Sequence, residues 1–387
     1  MTAVVPVSVA FAGPLCLSPV PCSARSRPRL FFLLSPSDLR GEVPVIRHFV
    51  STAPRLRRLC VFALGASTAL ALTACGAGSD TGAAGKSTAS TSPAPRGVIT
   101  TAAAKAVVDS YESANNRANK ARDEKLLATV ESGQLNEQSA ADYKQWATWS
   151  AKDKKEYGTS FFYQNRTYYI PAVGAADWFA VKATSSYGDH PETLLFFDKT
   201  GGTYKMTMAF YTPKAEPFPE IAVDKYGFAQ VAQPSRKVGK RSPSELGGLY
   251  EDFFESGGTK KAAKEFTSTD ASTESTKVYK ERNNGKLAPY TTKKYFAQDP
   301  AHLTVYALKL AGGGVVTAFP TAHTQEVMLK PQYMSSFQLG PSDAEAVYDP
   351  SKRTVITDEF QGQGLAEMRP TSKPKVLSIE YGMTDSR

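Results

Sequence analysis

The sequence predicts an α+β protein of two tandem domains, each with one or more N-terminal helices packed on a curved antiparallel sheet. Three observations carry this. Ala103, Val107, Tyr111, Ala114 and Ala118 recur at spacings of three and four, which places them on one helical face. From Ser160 the period changes to strand-like runs rich in aromatic and β-branched residues, punctuated by turn residues. The same order restarts near Ser244, where Leu246, Leu249, Tyr250, Phe253 and Phe254 again stand three and four apart.

Ahead of these domains the chain is of a different kind. Residues 1–49 hold scattered Pro and Arg without a sustained period, and an untranslated or disordered leader is expected there, with translation starting at Val50. Residues 50–74 read as a signal peptide. Arg55, Arg57 and Arg58 head an uncharged run from Leu59 to Ala74, shorter than the roughly 20 residues that span a bilayer. Leu72-Thr73-Ala74-Cys75 resembles the lipobox of bacterial lipoproteins, with Leu72 third before the cysteine and the small Ala74 directly before it. The resemblance implies that the Cys75 sulfur takes a diacylglyceryl group as a thioether and that a peptidase cuts before it. A core helix ending in Cys is the alternative. Against it, residues 76–97 contain nothing larger and more apolar than Ala, as a flexible Gly/Ser/Thr/Pro tether requires, so 75–98 is assigned to the lipidated Cys and its tether. The Arg57-Arg58 pair admits twin-arginine export, but Leu59-Cys60-Val61 follows where that signal carries Phe and Leu.

Charge and cysteine usage follow this division. The formal net charge is +9, from 46 Lys and Arg against 37 Asp and Glu. Eight of those bases and only Asp38 and Glu42 of the acids precede residue 76, which leaves 38 against 35 in the remainder. So small an excess gives no electrostatic footprint for nucleic acid, and none is expected as a partner. Cys16, Cys22 and Cys60 precede Cys75 and no cysteine follows it, so the exported domains have neither disulfide nor cysteine metal site.

The expected elements follow in chain order. Thr100 or Thr101 caps the first helix, and a second amphipathic piece buries Leu126, Leu127 and Val130 with Gly133 as its stop. Residues 138–155 read as further helix or loop. Strands follow at "SFFYQNRTYYIP", "DWFAVKATSS" and "TLLFFDKTGGTYKMTMAFY", the last folded by a hairpin loop at Asp198 to Gly202. The first domain is thus 99–235 and a basic linker, 236–243, carries Arg236, Lys237, Lys240 and Arg241. The second domain, 244–387, opens with a helix stopped by Gly257-Gly258. Strand-like runs come next at Lys277 to Tyr279, "HLTVYALKLAGGGVVTAFP", "TQEVMLKP", "RTVITDEF" and "VLSIEYGM".

The stretches "NRANKARDEKLLATVESGQLNEQSAADYK", "FPEIAVDKYGFA" and "LGGLYEDFFESGG" are similar to a domain of unknown function found in exported proteins and lipoproteins of actinobacteria. The resemblance covers most of residues 99–387. It implies an envelope protein with cone-shaped halves similar to the nuclear transport factor 2-like fold, and it brings no activity, substrate or catalytic residue with it.

Motifs for chemistry are sparse. Asp189-His190 and Asp299 near His302 have the composition of a base and its orienting acid, while His323 stands in "TAHTQEV"; each His lies near Gly or Pro, where a turn explains it. Gly312-Gly313-Gly314 and "GQG" at 362–364 lack the helix and Lys-Ser/Thr of a phosphate loop. No cofactor and no metal are implied. The candidates for a ligand-facing stacking platform are Phe161, Tyr163, Tyr168 and Tyr169, with core packing as the alternative. The functional reading is a non-catalytic lipoprotein anchored through Cys75 to membrane lipid on the extracytoplasmic face of the cell membrane, binding an unknown protein or small ligand. An accessory subunit of a membrane complex and a small-pocket enzyme using an Asp/His pair are the alternatives.

Overall fold

The computed structural model describes residues 95–187, 192–212 and 218–387. It is α+β, with antiparallel sheets of four and five strands and helices laid against each.

Helix α1 (Thr101–Ala121) starts at the expected cap, where the Thr100 hydroxyl accepts from the Ala103 amide at 3.2 Å. Its buried stripe is Ala104, Val108, Tyr111, Ala114 and Ala118 together with Asn115 and Asn119, so the face is turned by about one position and Ala103 is exposed. A buried network accounts for the polar members: Asn119 accepts from Tyr143 at 2.6 Å and donates to Asn115 at 2.8 Å, and Asn115 in turn reaches a buried carboxylate. Glu131 accepts from Tyr111 and Asn115, both at 2.9 Å, and burial raises its pKa. After α2, a single turn at Glu124–Leu127, Gly133 does not stop a helix as expected. At φ 64° it opens α3 (Gly133–Gln145), which α4 (Ala151–Tyr157) follows.

Sheet 1 is a meander of β1 (Tyr163–Tyr169), β2 (Trp178–Ser185), β3 (Glu192–Thr200) and β4 (Thr203–Thr212). Gly201 and Gly202, both at positive φ, make the whole β3–β4 turn, tighter than the Asp198–Gly202 loop expected. The run Leu194-Leu195-Phe196-Phe197 is apolar without alternation because both faces of this sheet are covered. Leu195 and Phe197 pack with Val108 and Tyr111 of α1. Leu194 and Phe196 pack with Tyr306, Leu308, Val316 and Leu365 of the second sheet.

The second half begins with a capping box between Ser242 and Glu245, then α5 (Leu246–Tyr250) and α6 (Asp252–Ser256), which Gly257 ends at φ 69°. Helices α7 (Ala262–Glu265) and α8 (Asp270–Glu281) follow. Lys277 to Tyr279, expected as strand, therefore lies in α8, whose Thr269 cap outweighs a short β-favouring triplet. Sheet 2 comprises β5 (Thr291–Gln298), β6 (Tyr306–Lys309), β7 (Val315–Leu329), β8 (Val355–Met368) and β9 (Lys375–Ser386), with α9 (Asp343–Ala346) before β8. Its order is β5-β7-β8-β9, and β6 also pairs with β7. Two expected strands are thus one, β7, despite Pro320 within it. β6 pairs with residues 315–318 and β5 with 322–329, so Pro320 sits in the gap between them, where that edge of β7 asks for no amide.

The described chain stacks in four layers: α1, sheet 1, sheet 2, and α5 with α6. Tyr306 ties the sheets, its ring stacked on Phe196 at 5.3 Å and its hydroxyl donating to Asp198 at 2.8 Å. Helix α3 ties them again. Gln134, Gln138 and Gln145 donate to the carbonyls of Gly362, Gln361 and Met383 at 3.0, 2.9 and 2.7 Å. Residues 236–243 form an ordered turn in which Val238 pairs with Arg241, and Arg241 meets Glu245 and Glu265 at 3.1 and 3.0 Å.

Candidate functional site

The most concentrated polar chemistry lies on the helix-facing side of sheet 2. Val315 and Phe319 of β7 face α5 and α6, and the period of two carries Thr321, His323 and Gln325 to the same side. The register then sets three adjacent cross-strand rows: Thr321–Gly362–Tyr381, His323–Phe360–Met383 and Gln325–Asp358–Ser386.

Glu251, at the junction of α5 and α6, drops into the first two rows. Its side chain is 0% exposed and that of His323 is 3% exposed. Thr321 and Tyr381 donate to Glu251 Oε1, the latter at 2.8 Å, while His323 Nδ1 lies 2.9 Å from Oε2. Three partners satisfy a carboxylate that burial would otherwise penalise by several kcal/mol, roughly. The imidazole is held between Phe254 and Phe360, stacked at 4.4 and 5.1 Å, with the Tyr295 ring edge-on at 5.7 Å. The Thr321 hydroxyl oxygen also lies 3.2 Å from Gly247 O, which sets α5 close against β7.

In the third row Gln325 donates to Asp358 Oδ2 at 2.9 Å. Burial, with the Glu345 charge adding to it, pushes the Asp358 carboxyl up to about 7. Burial also lowers the nearby Lys293 ammonium, which Asp358 and Glu345 partly oppose.

This arrangement orients a histidine by a carboxylate. It does not pair a hydroxyl with the imidazole, since Thr321 and Tyr381 both donate to Glu251. Among the described residues no group of three or more His, Cys, Asp or Glu is placed to hold a metal ion.

The sequence-derived candidates lie elsewhere. Leu72, Ala74 and Cys75 fall outside the described residues, as do Asp189 and His190. Phe161, Tyr163 and Tyr169 are buried, and Tyr168 is half-buried against the same cluster as Phe161. Instead of facing a ligand, Phe161 and Tyr163 pack on Tyr111, with ring centroids 6.5 and 6.4 Å away, while Tyr169 joins the core between the sheets. His302 is exposed and meets Glu137 at 3.1 Å. His323, expected at a turn, is mid-strand and enclosed.

Glu251 was missed because "LYEDFFES" reads as one amphipathic helix with its acids in solvent. The available signal was Thr321, His323 and Gln325 alternating inside an otherwise apolar strand.

The chain is similar to an uncharacterized lipoprotein of Streptomyces coelicolor, 31% identical over 330 residues that cover 83% of this chain and 92% of the relative. No solved structure matches it. The model of a domain of unknown function (DUF8094) matches residues 95–387, which include every residue that the structure describes, and the chain belongs to that family.

Proposed function

We propose that the protein is a lipoprotein of the cell membrane, held on the extracytoplasmic face by diacylglycerol on Cys75, and that it binds a protein partner or small ligand without chemistry. The observation that carries this reading is the run Leu72-Thr73-Ala74-Cys75 behind a basic head and a short apolar core. The similar Streptomyces coelicolor protein is described as a lipoprotein, which supports it. The non-catalytic part draws support from the second half, where the enclosed His323 is directed at Glu251 and packed between rings. Such a site stiffens a scaffold. The reading keeps the two halves as helix-on-sheet units similar to the nuclear transport factor 2-like fold.

Cell fractionation with a metabolically incorporated alkyne fatty acid tests it. Wild type should label and sediment with membranes, whereas Cys75→Ser should lose the label and stay unprocessed at that site. Equal labelling of both would overturn the reading.

A further inference from the structure

We propose that the end of the folded body around Arg96 is a membrane-contact face, whose occupant is the bilayer surface. The proposal rests on the lipid anchor above and goes beyond it, since a tether by itself demands no contact.

Four pieces of chain meet at this end. Gly97 bridges Ala172, Pro171 bridges Ala229, and Ala229 bridges Val223. Arg96 is fixed by its carbonyl, which accepts from Val173 N at 2.9 Å. From these bridges project Val173, Val223 and Tyr226, which are 67%, 48% and 55% exposed. Their backbone is ordered. Asp224 Oδ1 accepts from the Tyr226 and Phe228 amides, both at 2.9 Å, and Gly227 takes the turn at φ 85°. Lys225 lies over the Tyr226 ring at 4.9 Å. Branched aliphatics, a tyrosine and a lysine suit the interface of a bilayer, where a ring sits among headgroups and an ammonium reaches back to water.

The place where the tether joins selects this occupant. The lipidated Cys75 is expected some 20 residues before Arg96, and a Gly/Ser-rich segment of that length has a typical span of roughly 25 Å. The Arg96 end is thus the part of the body held nearest the lipid. β7 gives the opposite pole. Ile221 bridges Leu310 close to the Val315 end of β7, whereas the exposed Phe337 lies beyond its Leu329 end. A strand of that length separates the two by roughly 45 Å at about 3.3 Å per residue.

The test uses the full lipidated protein reconstituted into vesicles of phosphatidylcholine and phosphatidylglycerol. No cysteine follows Cys75, so Val173→Cys, Tyr226→Cys and Phe337→Cys each give one site for an environment-sensitive fluorophore. With a quencher carried on the lipid chains, labels at 173 and 226 should shift to the blue and lose intensity, and the label at 337 should do neither. Co-flotation with no more quenching at 173 and 226 than at 337 would overturn the proposal and leave the anchor standing. Failure to co-float would overturn both. Crosslinking between copies through 173 or 226, without quenching, would assign the face to a second copy of the chain and overturn it as well.

Discussion

Gly362 makes room for Tyr381: a Cβ at Gly362 would lie 2.4 Å from a carbon of the Tyr381 ring, the same ring whose hydroxyl reaches Glu251 at 2.8 Å. The glycine of β8 therefore lets a β9 side chain cross the sheet surface to a helix carboxylate. Gly362→Ala should destabilise the protein by about 1–3 kcal/mol, the usual range for overpacking. Urea denaturation measures this, and an unchanged midpoint would mean that the ring can shift without loss.

Two adjacent glycines of α5 should respond with opposite sign. A Cβ on Gly247 would stand 2.2 Å from the Pro320 carbonyl oxygen, a backbone atom that cannot swing away, whereas around Gly248 there is open space. Gly247→Ala should cost at least about 1–3 kcal/mol. Gly248→Ala should stabilise by about 0.5–1 kcal/mol, because alanine loses less backbone entropy in a helix. Thermal melts of the two variants decide the matter.

Removing Glu251 strands its partners. Glu251→Ala leaves His323, Thr321 and Tyr381 without their shared acceptor, and a cost of about 3–5 kcal/mol is expected, as for other buried pairs broken on one side. Adding His323→Leu should cost less than its effect in the wild type, with a coupling of about 1–3 kcal/mol in a double-mutant cycle. Strict additivity would mean that the two side chains do not stabilise one another.

Asp358 predicts a pH dependence whose sign is the reverse of most carboxylates. Burial lifts its folded pKa to about 7, well above the ordinary aspartate value of about 4, so the folded state holds this proton more tightly than the unfolded chain does. Its destabilising contribution therefore grows as pH rises from about 4 to about 7, by up to roughly 1.4 kcal/mol per pH unit, and is constant above. Asp358→Asn should remove that slope and gain stability over wild type at pH 8 more than at pH 4. Lys293, Glu345, Gln325 and Ser386 surround the carboxyl. They are common to both proteins, so the difference between the two curves isolates Asp358.

The parts legible in the sequence were those written in local signals. Thr100 as a cap, Gly201-Gly202 as a turn and the helix positions ahead of Gly257 stand where spacing and turn chemistry place them. Other features depend on contacts distant in the chain. Gly133 opens α3 because Glu131 bridges Met206 beside it, and the glutamines of α3 face sheet 2, which no local period announces. Strand β5 escaped notice because its Lys-Lys centre breaks any apolar alternation, and Pro320 concealed the continuity of β7. The Glu251 site was the least legible. It joins a helix junction, two strand positions on β7 and a β9 tyrosine, each of which is ordinary in its own neighbourhood.

The anchor is the claim on which address, reach and the membrane-contact face all depend, and the N-terminal peptide of the membrane-extracted protein tests it most directly. Mass spectrometry of that peptide should find Cys75 as the first residue, heavier by a diacylglyceryl thioether, with no peptide from residues 1–74. An unmodified Cys75 inside a longer peptide would contradict the account.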